Sequence, residues 1–548
     1  MIISKENDLD SEHKKLLIEC VNFYQKNNFK QAKQNLLRIF KKYPYNVEAN
    51  QTMGRILFQQ GYFDEALSCL KRALKNAKAN VRKEILFNDL GYIYLSLGQL
   101  KKAAESFKQS IKNNPKYIIA YYNKANTHLA LGSPELSLKI LKQALNIDKN
   151  NTQTHSNIAG IYELLNENEK EKASVERALS LDPKNLLANC QYATILRKEK
   201  KNSQAIKLLE QLLIEKSANL NFSRIYYELG HLYDRDNNAQ KAMHYFVKAN
   251  DLESKTPAAK RCNKFKYKDK IQLFLRSFNK KDVGLWKKYS RKDEYTDPTF
   301  IVGFPRSGTT LLDKILGSHH QIQTIEEKPC LQEIEIKIEK KSSNYFQTLS
   351  SLSETDIYEL RKDYFKSINK YINLEKGKIF IDKYPLHIVS VGTIMRIFPN
   401  AKFIFSLRHP CDACLSCFMQ SFKLNDAMVN FLSFEDTLGL YKQVMEMWLK
   451  YNKIFDLNAH EIKYEKLIDD FDGEINSLLH FIGVKWNKSV LNYVEYAKSK
   501  RITTPSYSQV TEPIYKRAKF RWLKYKDFFD KYLDTNFKFY INQFGYKK

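Results

Sequence analysis

Small residues punctuate the first half of the chain at a fixed interval. Cys20, Gly54, Gly91, Ala125, Ala159, Ala193 and Gly230 follow one another at spacings of 34, 37, 34, 34, 34 and 37. Twelve residues after each comes a second series, Ala32, Ala66, Ala103, Ser137, Glu171, Ala205 and Ala242, in which Glu171 is the one poor match. Two small positions twelve apart in such a unit mark where paired antiparallel helices cross closely. The clearest copy, LGYIYLSLGQLKKAAESFKQSIKNNP, shows both helices and the proline that ends them. The pattern predicts a helical array over residues 13 to about 252.

After 252 the period breaks. Residues 253–297 are rich in Lys and Arg and hold one apolar stretch, IQLFLRSF, that predicts a connecting helix. Asp297-Pro298 then marks a new domain. Three apolar runs there are short enough for buried parallel strands: Phe300–Val302, Lys378–Ile381 and Lys402–Ser406. Each precedes a polar turn and a helical pattern, which argues a parallel sheet flanked by helices with ligand at the carboxyl ends of the strands. The expected domains are an array at 1–252, a basic helical linker at 253–297 and an α/β domain at 298–548.

The repeating unit resembles the tetratricopeptide repeat, in seven copies, which implies an all-α solenoid. Stacked repeats present a concave surface that commonly holds peptides or partner proteins. A scaffold that supports or dimerises the second half is the other reading. Tyr92, Tyr94, Tyr121, Tyr122, Tyr226 and Tyr227 fall on first helices, where packing between repeats is the expected role of most.

Composition adds little until charge is considered. A hydrophobic content of 43% suffices for two or three cores, and 90 Lys and Arg against 61 Asp and Glu give a formal charge of +29. That favours an anionic partner. Nucleic acid is not expected, because no recognition motif or basic-aromatic cluster accompanies the charge. No apolar run approaches the length of a membrane span and the N-terminus is polar, so a cytoplasmic protein is expected. The eight cysteines are scattered as in a reduced protein. Cys411, Cys414 and Cys417 share one helix face, where buried packing is expected over a cluster ligand set, which would need a fourth ligand.

The chemistry concentrates in FIVGFPRSGTTLL, Phe300 to Leu312. Gly303 and Gly308 have the spacing of a phosphate loop, yet Thr309 stands where its lysine would be. A glycine-bearing turn entering a helix aims several backbone N–H groups at one point, which suits a phosphate or sulfate. Arg306 within the turn can brace the same anion. ATP hydrolysis is disfavoured without the lysine that spans the terminal phosphates.

The pattern PRSGTTLL, Arg306, Ser307, Gly308, Thr309 and Thr310 included, resembles the 5′-phosphosulfate loop of sulfotransferases, which use 3′-phosphoadenosine 5′-phosphosulfate (PAPS). KFIFSLRHPCDACLS resembles the family's 3′-phosphate segment, in Arg408 and Ser416. The likeness runs from Phe300 to Phe529. Combined with the repeats, it is similar to bacterial tetratricopeptide-sulfotransferase proteins, whose transferase half is similar to protein-tyrosine sulfotransferases. The fold implied is an α/β P-loop-like sulfotransferase domain with a parallel sheet. The resemblance implies Glu327, 21 residues after Arg306, as catalytic base, with Glu326 as competitor. It implies Lys383 in FIDKYPL at the leaving oxygen, Ser506 in PSYSQVTEP at the transition state, Tyr464 against the nucleotide and Arg521 on a phosphate. Pro329 and Gln420 depart from the pattern, standing where the tyrosine enzymes place cations.

The reaction implied is transfer of a sulfuryl group from PAPS, without a metal, to an acceptor hydroxyl, with a protein tyrosine, a glycan and a small metabolite as the candidate acceptors and the repeat groove as a place to hold an acceptor protein or glycan. A homodimer is a further expectation. Two other classes stay open: a phosphotransferase in which Asp382 holds magnesium, and an adaptor whose repeats bind while the transferase half is inactive.

Overall fold

In the computed structural model, residues 9–78, 81–214, 222–287, 289–342, 344–499 and 514–546 are described. The chain forms two compact units that divide between Lys216 and Ser217.

The first unit is a run of antiparallel helix pairs, beginning Ser11–Gln25 with Phe29–Lys42 and ending Leu186–Lys198 with Asn202–Ile214. Several first helices open on an asparagine whose side chain accepts a backbone N–H in the first turn, as Asn46 does from Ala49 and Asn151 from Thr154. The small positions are where the helices cross. A Cβ at Gly91 would stand 2.6 Å from the Phe107 ring, and one at Gly54 3.0 Å from Leu70. Glu171 is buried in the same role and is held by Lys198, 3.1 Å away. Burial raises the Glu171 carboxyl above its ordinary range against the pull of Lys198. The tyrosines divide: Tyr121 is buried between repeats, whereas Tyr92 is 47% exposed.

The second unit begins with a helix pair of the same kind, Ser223–Arg235 and Ala239–Ser254. A Cβ on Gly230 would meet Phe246 at 2.7 Å, so this pair crosses as the others do. It nevertheless packs against the α/β part of the chain: Asn250 Nδ2 donates to the Phe418 carbonyl at 2.9 Å. The basic segment contains the expected helix, Lys264–Ser277. It is anchored to the rest of the unit by Lys264 and Lys268, both on Asp436, and by Phe278, buried against Tyr451.

Beyond it lie five parallel strands: β1 (Thr299–Gly303), β2 (Ile322–Glu326), β3 (Ile379–Lys383), β4 (Lys402–Leu407) and β5 (Ala459–Lys463). Their order in the sheet is β2-β3-β1-β4-β5. β1, β3 and β4 are the three apolar runs, and they occupy the centre; β2 and β5 are the edges. Ile301, Ile381 and Ile404 share a core with Leu312, Ile315 and Leu316 of helix Thr309–Gly317, which fixes that helix against the sheet. β1 lies where the strand order turns outward to both sides, the position at which open α/β sheets leave a crevice for ligand. No helix among the described residues is long and apolar enough to cross a membrane.

Candidate active site

The loop after β1 is shaped by two glycines with different duties. A Cβ at Gly303 would lie 2.4 Å from the Ser406 carbonyl oxygen, so only glycine lets β1 end against β4. Gly308 caps helix Thr309–Gly317 at φ 95°, and a Cβ there would meet the Tyr464 ring at 2.9 Å. Arg306 holds a left-handed backbone, φ 68°, a costly conformation for a residue with a side chain. Ser406 Oγ ties the loop down by donating to the Ser307 carbonyl at 2.7 Å. The N-terminal amides of the helix, with buried Thr309 and Thr310, come directly after.

On one side of the loop lies a cluster of charges. Lys383, the last residue of β3, is 0% exposed, and its Nζ donates to Glu327 Oε1 at 2.8 Å and Glu326 Oε1 at 3.1 Å. Thr310 Oγ1 is 3.5 Å from the same nitrogen. Burial opposes the charge on Lys383, but Glu326 and Glu327 outweigh it and raise its pKa. Glu326 also receives Lys314 Nζ at 3.0 Å. Burial disfavours its charge, and the two lysines overcome that, holding the carboxyl below its ordinary range. The adjacent carboxylates therefore differ in setting: the Glu326 side chain is 10% exposed and Glu327 31%. Glu327 takes a left-handed turn, φ 47°, and its N–H donates to the Lys383 carbonyl at 2.8 Å.

On the other side three guanidinium groups converge. Arg306 Nε donates to Ser416 Oγ at 3.2 Å. Burial, reinforced by Arg408 and Arg521 nearby, lowers the Arg306 pKa. Arg408 donates to the carbonyls of Arg306 and Ala518 at 3.1 and 2.6 Å, and its guanidinium lies 5.0 Å from the centre of the Tyr464 ring. Its Nε is buried and has no hydrogen-bond partner among the described residues. Arg521 is engaged by Asp234, with 2.9 Å between Nε and Oδ1. A turn with helix amides, three guanidiniums and an aromatic face is equipped for an anionic, ring-bearing ligand.

The structure thus gathers Arg306, Ser307, Gly308, Thr309, Thr310, Lys383, Glu327, Arg408, Ser416, Tyr464 and Arg521 around one loop. Ser506 and its segment lie outside the described residues. Sequence reasoning missed Lys314, although it comes four residues after Thr310 and so shares its helix face. It also missed Asp234, which no local signal ties to Arg521. Asp382 points away from Lys383, as alternation along a strand requires. There it is fully buried and accepts the Tyr364 hydroxyl at 2.6 Å, a poor setting for a magnesium ligand. Cys411, Cys414 and Cys417 are buried on helix Pro410–Phe418, and Cys417 Sγ donates to the Pro305 carbonyl beneath the loop at 3.3 Å.

Residues 298–488 match the Sulfotransferase family, and residues 47–80, 91–132, 118–151, 152–185 and 223–256 match tetratricopeptide repeats. A repeat region and a sulfotransferase-family domain are both present. Protein-tyrosine sulfotransferase 1 of Danio rerio is 26% identical over 239 residues, 41% of this chain and 65% of that protein. Its human counterpart is 27% identical over 41% of this chain and 62% of its own length. An uncharacterized protein of Aquifex aeolicus is 31% identical over 46% of this chain and 33% of its own. The chain therefore spans less than two thirds of each of these relatives. Among solved structures, a tetratricopeptide repeat protein from Parabacteroides merdae aligns over 46% of this chain and 97% of its own at 18% identity, with a TM-score of 0.38.

Proposed function

We propose that the second unit transfers a sulfuryl group from PAPS to an acceptor hydroxyl, with a protein tyrosine as the acceptor class suggested by the named relatives. The observation that carries this reading is the Lys383 ammonium, held between Glu327 at 2.8 Å and Thr310 at 3.5 Å at the entrance of the loop helix. A base and a cation are there side by side, next to a turn suited to the transferred group.

The donor supplies an activated sulfate; the chain supplies the proton acceptor and the charge. Glu327, the more exposed carboxylate, takes the acceptor's O–H proton as that oxygen bonds to sulfur. The bond from sulfur to the bridging phosphate oxygen breaks, and its electron pair leaves with the nucleotide, where Lys383 faces the charge that develops. Glu326, already shared by Lys314 and Lys383, keeps the pocket near neutrality. Arg306 with the helix amides holds the sulfonate end, and Arg408, Ser416 and Arg521 hold the 3′-phosphate end. The buried Arg408 Nε, without a partner among the described residues, fits that assignment, because a buried donor left unmade is costly unless a ligand completes it. The repeat array presents the macromolecular acceptor.

The test is thermal: the product nucleotide, 3′-phosphoadenosine 5′-phosphate (PAP), should raise the melting midpoint more than ATP does, and without magnesium. Equal shifts, or a shift that requires magnesium, would favour a phosphotransferase. Incubation with labelled PAPS and a cell extract would then identify the acceptor.

A further inference from the structure

We infer that Asp234 is a positioning residue for Arg521, and that the helix pair which carries it belongs to the nucleotide-binding apparatus; this rests on the proposed use of PAPS. The pair is side-on. Asp234 Oδ1 accepts Arg521 Nε at 2.9 Å and Oδ2 lies 2.9 Å from Nη2. A guanidinium carries five N–H groups; Asp234 takes two and the Tyr525 hydroxyl is also bonded to Arg521, which leaves part of the Nη edge for an oxygen ligand. The Tyr525 hydroxyl donates to the same Oδ1 at 2.7 Å, and Lys524 Nζ donates to Asn237 at 2.6 Å.

The segment bearing Arg521 is also held from the opposite side. The Ala518 carbonyl accepts Arg408 Nη2, the Trp522 N–H donates to Asp412 Oδ1 at 2.7 Å, and the Trp522 indole stacks on His409 at 5.1 Å. Between these anchors Phe520 takes a left-handed backbone, φ 51°. The result is an arginine clamped between the repeat-type hairpin and the strand-end arginine.

Electrostatics gives the clamp its purpose. Arg408 and Arg521 stand close enough to Arg306 to disfavour its charge, as the lowered Arg306 pKa shows, after burial as the main cause. A carboxylate on the far edge of Arg521 offsets that repulsion without standing where an anion would bind. Both side chains are largely buried, 17% exposed for Arg521 and 14% for Asp234, so solvent screens the pair little.

The experiment is calorimetric titration of PAP into the full chain and its variants, with a melting curve for each. Asp234→Asn and Arg521→Ala should each weaken binding about tenfold, and the double variant should be no worse than Arg521→Ala, as for coupled neighbours. Asp234→Glu should restore most of the affinity. Additive losses would show that Asp234 acts only through general stability and would overturn the inference. So would an Asp234→Asn protein that binds PAP as tightly as wild type, or more tightly, the latter making Asp234 a competitor for Arg521. If Arg408→Ala and wild type bind PAP alike, the nucleotide reading falls and this inference with it. If Arg408→Ala loses binding while Asp234→Asn does not, only the positioning role is overturned.

Discussion

The Lys383 ammonium lies 2.8 Å from Glu327 and 3.1 Å from Glu326, so two carboxylates adjacent in sequence share one buried cation. They are not equivalent. Glu326 has a second lysine and little exposure; Glu327 has neither. Glu327→Gln should cost about 10²–10⁴ in transfer rate, the usual effect of losing a positioned base, with PAP affinity nearly unchanged. Rates and titrations on the same protein check it: near wild-type transfer would exclude Glu327 as the base, and near wild-type transfer by both Glu327→Gln and Glu326→Gln would end the carboxylate mechanism.

Glu326→Gln should instead unfold more easily. It leaves Lys314 and Lys383 short of a buried counter-charge, a change that typically costs about 3–5 kcal/mol. Urea melts measure this directly. A variant as stable as wild type but inactive would move the base by one residue.

Asp382 predicts a pH effect of opposite sign to an ordinary carboxylate. Burial pushes its pKa from 3.8 up to about 7, against the hydrogen bond from Tyr364 and the charge of Lys383. The native state then binds a proton that the unfolded state has lost, so this stability is present at acid pH and lost as pH rises toward 7. His387, buried 4.0 Å from Asp382, has its pKa lowered to about 3 by burial and contributes a slope of the other sign. The clean measurement is therefore a difference: the stability of Asp382→Asn relative to wild type should rise between pH 4 and 7. A flat difference would mean that Asp382 titrates normally.

Truncation should be sensitive to where the chain is cut. A protein starting at residue 217 keeps Asp234, Asn250 and Phe246 and should still bind PAP. One starting at residue 253 loses all three, strips Arg521 of its carboxylate and should bind PAP weakly or fail to fold. Thermal shifts with PAP compare the two, and equal behaviour would show that the hairpin is dispensable.

In the array, Gly91→Ala should destabilise by about 1–3 kcal/mol, the cost of overpacking a close helix crossing. The new methyl would stand 2.6 Å from the rigid Phe107 ring. Gly54→Ala should cost less, because its neighbour is a Leu70 side chain at 3.0 Å that can shift. Urea midpoints rank the two, and the reverse order would mean that the crossings are not what the small series records.

Much of this architecture is local in origin, and for that reason legible in the chain. The helix crossings need small side chains at a fixed period, and Gly303 and Gly308 answer to a turn, so each leaves its mark within a few residues. The central strands β1, β3 and β4 are mostly buried, and each carries a short apolar run that the sequence shows. The edge strands do not: IQTIE and AHEIK are only partly buried, carry polar residues through their length and leave no such run. The spacing from Arg306 pointed to Glu327, but sequence could not supply the difference in setting between Glu326 and Glu327, since a spacing counts residues and says nothing of exposure. That difference arises only when β2 is laid beside β3, with Glu326 in register with Lys383, and helix Thr309–Gly317 brings Lys314 across. Asp234 and Arg521 are 287 residues apart, and an ion pair between them has no periodic or local signature. Packing alone makes them neighbours, because only the folded unit sets the hairpin against the segment that carries the arginine.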